Sequence, residues 1–295
     1  MRAPLLVLAA LALAAGRFLG AAEADPPRQE PSVEAVRMTP DFWMLVGQGG
    51  NLGLLVTDEG LLLVDSQFQR MAPAIRERLD ELGDGRELKV LVNTHVHGDH
   101  VGGNPGFAAE AVIVAHDAVY ARMVEPPPGR EAPPAAGRPD LTFPDRVTLR
   151  FGGHEVEVLH VGPAHTDGDA VLFFHDLKVV HMGDLLFAGT FPFIDPGSGG
   201  DVRGYLEAMR RVRSRLGDDW KVVPGHGPAS TVADLDASIA MMEATMAIVE
   251  ERIARGMDDA AVVAAGLPDE WASWSWRFVP TERWLETLVR GLRDG

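Results

Sequence analysis

The sequence predicts an α/β protein in which two runs of β-strands are each followed by helices. The first run has alternating or continuously apolar segments between glycine-containing turns, at residues 42–46, 51–57, 61–65, 88–92 and 111–115. A second run of the same character covers residues 146–151, 155–160, 170–175, 178–181 and 220–223. With 295 residues and a hydrophobic content of 46%, the chain can bury a large core in one large domain or two.

The first 24 residues have the features of a secretory signal peptide. Arg2 supplies the positive start, residues 5–15 are apolar but too short to span a membrane, and residues 20–24 offer a small-residue cleavage site. We therefore expect a periplasmic or secreted protein with no membrane contact after cleavage; an uncleaved anchor is the alternative. Residues 25–35 are polar and proline-rich, and they are predicted to be a flexible lead-in.

Helical spacing follows both strand runs. The predicted helices cover residues 71–82, 116–124, 201–216, 235–255, 258–265 and 281–292. We interpret residues 36–232 as the principal domain and residues 233–295 as a helical extension packed on that same domain.

The composition excludes several classes of partner. The formal net charge of −16 disfavours nucleic acids and anionic membrane surfaces, because binding to either requires basic patches. The chain contains no cysteine, so it has no disulfide, no thiolate ligand for zinc and no lipoprotein acylation site. The expected partner is a small-molecule substrate, and the oligomeric state stays open.

A polar segment directly after the strand at residues 88–92 contains a His-x-His-x-Asp-His motif, formed by His95, His97, Asp99 and His100. Imidazole nitrogens and carboxylate oxygens are ligands that zinc accepts. Residues i and i+2 leaving a strand lie on one side of the chain, which aims the first two histidines together. The aspartate and the third histidine fall on a different side after Gly98, where glycine permits a sharp turn. One turn can therefore serve two neighbouring metal positions.

Three later residues whose side chains can bind metal also follow strands. His165 lies in the loop after residues 155–160, Asp184 lies after residues 178–181, and His226 lies after residues 220–223. Each follows a strand, so we expect all three at the same edge of the fold as the central motif. The remaining histidines are interpreted as packing, surface or supporting residues: His116, His154, His160, His175 and His181.

The His-x-His-x-Asp-His motif, with Gly102 and Gly103 after it, resembles the signature of the metallo-β-lactamase-fold superfamily. The contexts of the three later ligands resemble that family's other motifs in the same order, over about residues 36–232. The resemblance implies a four-layer αβ/βα sandwich, here with C-terminal helices, and a metal site at one edge between two sheets.

The resemblance also implies how the ligands divide between two zinc ions. One zinc is expected at His95, His97 and His165, the second at Asp99, His100 and His226, with Asp184 bridging both. In the family, the carboxylate at Asp65 often supports a metal-ligand histidine; a strand-end turn residue is the alternative. The loop at residues 187–200 is expected over the site, with Phe191, Phe193 and Ile194 as an apolar substrate wall or as buried loop packing.

The implied activity is hydrolysis by a hydroxide that bridges the two zinc ions. Zinc lowers the pKa of bound water from 15.7 towards ~7, so hydroxide is available at neutral pH. Asp99 and Asp184 are the expected catalytic carboxylates, the first orienting the hydroxide and the second bridging the metals. The expected substrate is a carboxylic ester, thioester, lactone or lactam.

Three alternatives remain open. The first alternative is a β-lactamase, but β-lactamases of this fold tend to have cysteine or serine where this chain has Asp184. Asp184 instead resembles the bridging carboxylate of glyoxalase-II-like thioesterases and lactonases. An iron enzyme such as a persulfide dioxygenase uses two histidines and one carboxylate on a single metal, whereas this chain has a full second ligand set. A non-catalytic metal-binding partner of a periplasmic redox system is the third, although a structural zinc needs only four ligands.

Overall fold

The computed structural model describes residues 31–126, 129 and 132–293. The expected signal peptide at residues 1–24 lies outside the described residues, as does most of the expected lead-in. Seven strands of the described chain form the first sheet in chain order: β1 (Glu34–Arg37), β2 (Phe42–Val46), β3 (Leu52–Thr57), β4 (Gly60–Val64), β5 (Leu88–Val92), β6 (Val112–His116) and β7 (Leu141–Phe143). The first four strands are antiparallel, and β4 to β7 are parallel.

Six strands form the second sheet: β8 (Arg146–Phe151), β9 (His154–His160), β10 (Ala170–Phe174), β11 (Val179–His181), β12 (Lys221–Val223) and β13 (Ser230–Thr231). Strands β8 to β11 are antiparallel neighbours, β11 and β12 are parallel, and β13 pairs antiparallel with β12. The described α-helices are α1 (Ala72–Gly83), α2 (Gly98–Val101), α3 (Asp117–Val124), α4 (Val202–Arg213), α5 (Val232–Ala254), α6 (Asp259–Ala264) and α7 (Thr281–Arg293).

The two sheets pack face to face with helices on their outer faces. Strand β10 shows this in its side chains, which alternate between the two faces of the sheet. Leu172 and Phe174 join the core between the sheets, whereas Val171 and Phe173 join the core shared with α4, α5 and α7. On the other side, α1 packs on the first sheet. This arrangement is the four-layer sandwich that the sequence predicts, and it explains why strands buried on both faces are continuously apolar.

The sequence pattern misses β1, β7 and β13, each for a physical reason. All four side chains of β1 are exposed, so no alternation of apolar and polar residues marks it. Strands β7 and β13 have three and two residues, which is too short for a periodic signal. The short helix α2 was predicted as part of a turn, because four residues give no helical period. The boundaries of the remaining strands and helices agree with the predicted ones to within a few residues.

The C-terminal helices pack on the second sheet through a buried tryptophan. Trp284 of α7 is fully buried and stacks on Phe191 at 5.5 Å between ring centroids. Its indole Nε1 donates a hydrogen bond to Thr245 Oγ1 of α5 at 3.2 Å. Among the described helices, none is both long enough and apolar enough to cross a membrane.

This indole contact allows a stability prediction. Thr245→Val keeps the shape of the buried side chain but leaves the Trp284 N–H without an acceptor, so we expect unfolding to become easier by about 1–3 kcal/mol. Ser238→Ala on the same helix is the matched control, because Ser238 Oγ donates only to the Asp234 carbonyl and its loss leaves no buried donor. Urea unfolding of both variants measures the difference, and equal midpoints would contradict the assigned role.

Candidate metal centre

Strand ends from both sheets meet at the candidate site. Parallel neighbouring strands end at the same edge of a sheet, so β5 and β4 deliver the central motif and Asp65 together. In the second sheet, the parallel pair β11 and β12 delivers Asp184 and His226 in the same way. Backbone hydrogen bonds join the two edges, since Ala170 N donates to Thr94 O at 2.8 Å and Asn51 N donates to Gly225 O at 2.7 Å.

The structure brings all seven predicted ligands together in two adjoining groups. Within each group, one ligand atom per residue lies within 4.8 Å of the others. The first group contains His95, His97, His165 and Asp184, and the second contains Asp99, His100 and His226. The five histidines interpreted as packing or supporting residues belong to neither group.

Asp184 lies between the groups and presents one carboxylate oxygen to each. Its Oδ2 is 3.3 Å from His165 Nε2 and 3.7 Å from His95 Nε2. Its Oδ1 is 3.0 Å from His100 Nε2 and 3.4 Å from His226 Nε2. This is the geometry that a carboxylate bridging two cations requires.

The donor atoms fit zinc. His95 Nε2, His100 Nε2 and Asp184 Oδ1 are buried, and none of them makes a hydrogen bond of good geometry among the described residues, although the His100 and Asp184 atoms lie close together. Buried polar atoms are normally hydrogen-bonded, so three that converge without such a bond indicate a cation site. Tetrahedral zinc with Zn–N distances of about 2.0–2.1 Å places neighbouring ligand atoms about 3.3 Å apart. All separations within a group are at most 4.8 Å, and they include 2.8 Å between His165 Nε2 and His97 Nδ1 and 3.8 Å between His100 Nε2 and Asp99 Oδ2.

Carboxylates surround the second group. Burial by itself lowers the pKa of His100, but the charges of Asp184, Asp65 and Asp99 outweigh burial and raise that pKa well above its usual value. Burial also lowers the pKa of His226, but Asp184 and Asp99 raise it to about 9. This position therefore favours positive charge, which either protons on the imidazoles or a metal cation can supply.

In the first group, the pKa values of two histidines are lowered instead of raised. Burial lowers the pKa of His95 well below its usual value and lowers that of His165 to about 4. Both imidazoles are therefore neutral, as metal ligands must be. Burial by itself raises the pKa of Asp184, but the imidazoles of His100 and His226 outweigh it and hold that pKa well below the usual range. The Asp184 carboxylate is accordingly ionised.

Supporting hydrogen bonds orient the imidazoles. Asp65 Oδ2 lies 2.7 Å from His100 Nδ1 and also accepts a bond from Thr94 Oγ1 at 2.7 Å. The Phe193 carbonyl accepts from His165 Nδ1 at 2.7 Å. Such bonds select the tautomer whose other nitrogen faces the metal. The contact supports the interpretation of Asp65 as a residue that holds a ligand histidine.

Asp195 is a functional candidate that the sequence reasoning missed. Its Oδ2 lies 2.9 Å from His97 Nε2, while His97 Nδ1 faces His165. Asp195 also accepts bonds from Gly197 N and Ser198 Oγ, so the 3₁₀ turn after it holds the carboxylate in place. An aspartate in a glycine-rich loop carries no periodic signal, and only the fold brings it to a ligand 98 positions earlier.

We expect Asp195→Asn to weaken metal binding by about tenfold or more, in line with the loss of other supporting partners of ligand histidines. The amide N–H₂ would face His97 Nε2 and favour the tautomer that carries its proton on Nδ1, which blocks the nitrogen facing the metal. Competition with a chromogenic chelator measures zinc affinity. Asp201→Asn is the matched control, because Asp201 only caps α4 through Gly204 N and asparagine caps equally well. Equal zinc affinities in the two variants would show that Asp195 does not orient His97.

The predicted substrate wall is only partly present in the loop at residues 187–200. Phe191 and Ile194 are buried in the core, at 0% and 3% exposure, so they pack the loop instead of facing substrate. Phe193 is half-buried, and its ring centroid lies 6.0 Å from that of His97. Phe187 stacks on His226 at 5.1 Å. The aromatic surface at the site therefore comes from Phe193, while Phe187 is buried at 4% exposure and packs against the His226 ring.

Comparison with known proteins agrees with this fold and site. The family model described as the metallo-beta-lactamase superfamily matches residues 45–227, which is more than half of the chain. The chain therefore belongs to the metallo-beta-lactamase superfamily. This confirms the fold class and the resemblance noted from the sequence motifs.

Relatives span several named activities. The alpha subunit of 2,4-dinitroanisole O-demethylase from Nocardioides sp. (strain JS1661) is 24% identical over 232 residues, which is 78% of this chain and 68% of the relative. Hydroxyacylglutathione hydrolase GloC from Haemophilus influenzae is 30% identical over 171 residues, covering 55% of this chain and 78% of the relative. Metallo-beta-lactamase type 2 from Bacillus cereus is 27% identical over 176 residues, covering 59% of this chain and 65% of the relative.

Solved structures show the same fold. The metallo-beta-lactamase from Pontibacter korlensis superposes with a TM-score of 0.61 at 21% identity, covering 72% of this chain and 99% of that structure. At this identity the likeness concerns the fold alone. The family match and the curated relatives place this chain in a superfamily that includes hydrolases, and the structure adds a His/Asp cluster that could bind metal.

Proposed function

We propose that this protein is a hydrolase with two zinc ions per chain that cleaves a carboxylic ester, thioester, lactone or lactam. The observation that supports it most directly is the position of Asp184, with one oxygen facing each ligand group at 3.0–3.7 Å. A single-metal enzyme needs only one of the two groups, and a structural zinc needs only four ligands. Seven converging ligands therefore favour a binuclear catalytic site.

Asp184 and Asp99 have different roles in the proposed reaction. Two zinc ions, when bound, supply Lewis acidity and make hydroxide available from water at neutral pH. Asp184 holds the two positions at a fixed separation and offsets their positive charge. Asp99 is one-quarter exposed and lies 3.3 Å from His226 Nε2, at the solvent-facing side of the cluster. It is placed to accept a hydrogen bond from the attacking group and to orient it.

Metal analysis and a substrate screen test this proposal. We expect protein purified without added metal to contain about two zinc ions per chain, and chelation to abolish turnover. One iron and no zinc would contradict the binuclear assignment and favour a mononuclear iron enzyme. The screen compares a carboxylic ester, a thioester, a lactone and a β-lactam; if none of them is hydrolysed by fully metallated protein, the proposed reaction class is wrong.

β-Lactam hydrolysis is a second candidate because a curated relative, the Bacillus cereus enzyme, carries that name. Asp184 weighs against it, since β-lactamases of the fold tend to have cysteine or serine at this position. The loop after Asp184 also contains no lysine to bind a β-lactam carboxylate. We therefore expect turnover of the thioester or lactone to exceed that of the β-lactam in the screen.

We also propose that the protein works outside the cytoplasm, as the charged start, short apolar stretch and small residues at 1–24 indicate. We expect the mature chain to start near Glu23 or Asp25. Mass spectrometry of the protein from a periplasmic fraction measures this, and intact Met1 on cytosolic protein would refute it.

A further inference from the structure

Four aromatic rings form a continuous arc beside the metal centre, and we name Phe187, Trp276, Phe278 and Phe193 the aromatic arc. Successive ring centroids in this order lie 6.1, 5.6 and 5.2 Å apart. One end, Phe187, stacks on the His226 ring of the second ligand group. At the other end, the Phe193 ring lies 5.8 Å from that of His165, in the first group. The arc therefore extends along both metal positions.

Two separate segments build the arc, and one side-chain and one backbone hydrogen bond hold them together. Trp276 Nε1 donates to the Phe191 carbonyl at 2.9 Å, and Phe191 N donates to the Trp274 carbonyl at 2.8 Å. The Phe278 ring is nevertheless 48% exposed. A large exposed aromatic ring beside a catalytic centre is typical of a binding surface.

An arginine lies on this aromatic surface. The Arg283 guanidinium carbon is 4.4 Å from the Phe278 ring centroid and 4.9 Å from that of Phe193. Its Nη1 donates to the Phe278 carbonyl at 2.7 Å, which fixes the plane of the group. The side chain is half-buried, yet it forms no ion pair within the described part of the chain. In contrast, Arg122 of α3 pairs with a carboxylate at 2.6 Å.

A cavity of about 550 Å³ adjoins the arc between residues 193–202 and α7. The α7 residues that line it include Arg283, Glu286, Thr287 and Arg290, and the loop residues include Phe193, Asp195 and Asp201. These α7 residues recur at helical spacing, so one polar stripe of the helix faces the cavity. The volume is within the range of small-molecule sites, about 300–1,000 Å³.

We propose that the aromatic arc and Arg283 form a subsite for an aromatic carboxylate portion of the substrate, an inference that rests on the proposed hydrolytic function. The exposed Phe278 ring and the half-buried Phe193 and Trp276 rings provide the apolar contacts for the aromatic part, whereas Phe187 is buried at 4% exposure and supports the arc from within. Arginine has five N–H donors, and only one is used by Phe278, so the others can bind a carboxylate in a bidentate pair. Because the chain carries a formal charge of −16, an anionic substrate needs a local cation of this kind.

Binding of phenylacetate and of its neutral analogue phenylacetamide tests the subsite without turnover. We expect the wild-type protein to bind the carboxylate at least about tenfold more tightly, because a hydrogen bond to a charged group is stronger than a neutral one. Calorimetry on zinc-loaded and on zinc-depleted protein separates binding at Arg283 from binding to the metals. Equal affinity for acid and amide in zinc-depleted wild-type protein overturns the proposal.

Variants test whether Arg283 causes the preference for the carboxylate over the amide. Arg283→Gln should abolish the preference for the carboxylate, and Arg283→Lys should keep part of it, because lysine retains the charge but not the planar fork. Arg277→Gln is the matched control: it removes one exposed positive charge next to Phe278 but lies outside the cavity. A preference that persists in folded Arg283→Gln, or one lost equally in Arg277→Gln, overturns the proposal. If Arg283→Gln does not fold, the proposal is tested by the ratio of the affinities for phenylacetate and phenylacetamide, measured in the wild type and in Arg283→Lys.

Turnover separates this inference from the proposed function. Benzyl thioacetate and 4-carboxybenzyl thioacetate have the same reacting bond and differ only in a distant carboxylate. We expect kcat/KM of the wild type to favour the carboxylated substrate by about tenfold or more, and Arg283→Gln to remove that advantage. If both thioesters are hydrolysed equally, the proposed subsite is refuted and the proposed hydrolytic function is supported. If neither is hydrolysed although phenylacetate binds through Arg283, the subsite stands and the thioester reaction is wrong.

Discussion

Asp184→Asn is expected to lower turnover by about a hundredfold or more, comparable to the loss of one preorganised electrostatic contact. The substitution keeps the shape of the side chain but removes its negative charge and one strong ligand oxygen. The second position should lose its metal first, because it would retain only Asp99, His100 and His226. The first position would still have three imidazoles.

Metal content, hydrolysis of the best substrate and thermal unfolding measure these effects separately. Asp167→Asn is the control, because Asp167 pairs with Arg122 nearby and belongs to neither ligand group. The core does not depend on Asp184, so both variants should fold. Full occupancy by two metals with unchanged turnover in Asp184→Asn would show that Asp184 does not bridge the ions, and the thioesterase-like assignment would lose its main support.

Gly50→Ala is expected to reduce turnover by about a hundredfold, since displacing a catalytic group by about 1 Å can have that effect. A Cβ at Gly50 would lie 2.2 Å from His100 Cε1 and 2.3 Å from its Nε2. The imidazole cannot move away, because it is fully buried and bonded to Asp65 on its other side. The second metal position should therefore lose occupancy, with a loss of stability of about 1–3 kcal/mol from overpacking.

Gly98→Ala is the matched control for this steric effect. Gly98 lies in the central motif itself, yet a Cβ there would meet no atom within 4 Å. We expect Gly98→Ala to retain both metals and near wild-type turnover, and to be neutral or stabilising at the start of α2. Spectroscopy of cobalt-substituted protein reports the geometry at each position. Identical spectra for Gly50→Ala and wild type would refute the close packing of Gly50 on His100.

Local chemistry was enough to predict most strands, most helices and the four candidate ligands of the central motif, whereas the three later ligands were assigned through the resemblance to a family. Strands such as β10 are buried on both faces, so their apolar character is visible in the sequence alone. Histidine and aspartate have few roles that cluster them within six residues, and metal binding is one of them. The division between two groups, however, came from the resemblance to a family, because spacing along a chain does not specify which side chains from different strands meet.

Tertiary structure alone decided the surroundings of the cluster. Asp195 reaches His97 from 98 positions away, and Arg283 reaches Phe193 from a helix 90 positions later, contacts for which no local periodicity exists. The same holds for Phe191 and Phe193, two positions apart in one loop, of which one is buried in the core and the other faces the metal ligands. Their roles depend on the packing of α7 and the tryptophan segment against the loop. Ligand chemistry is thus a property of residue type, whereas ligand orientation and substrate selection depend on which distant segments the fold brings into contact.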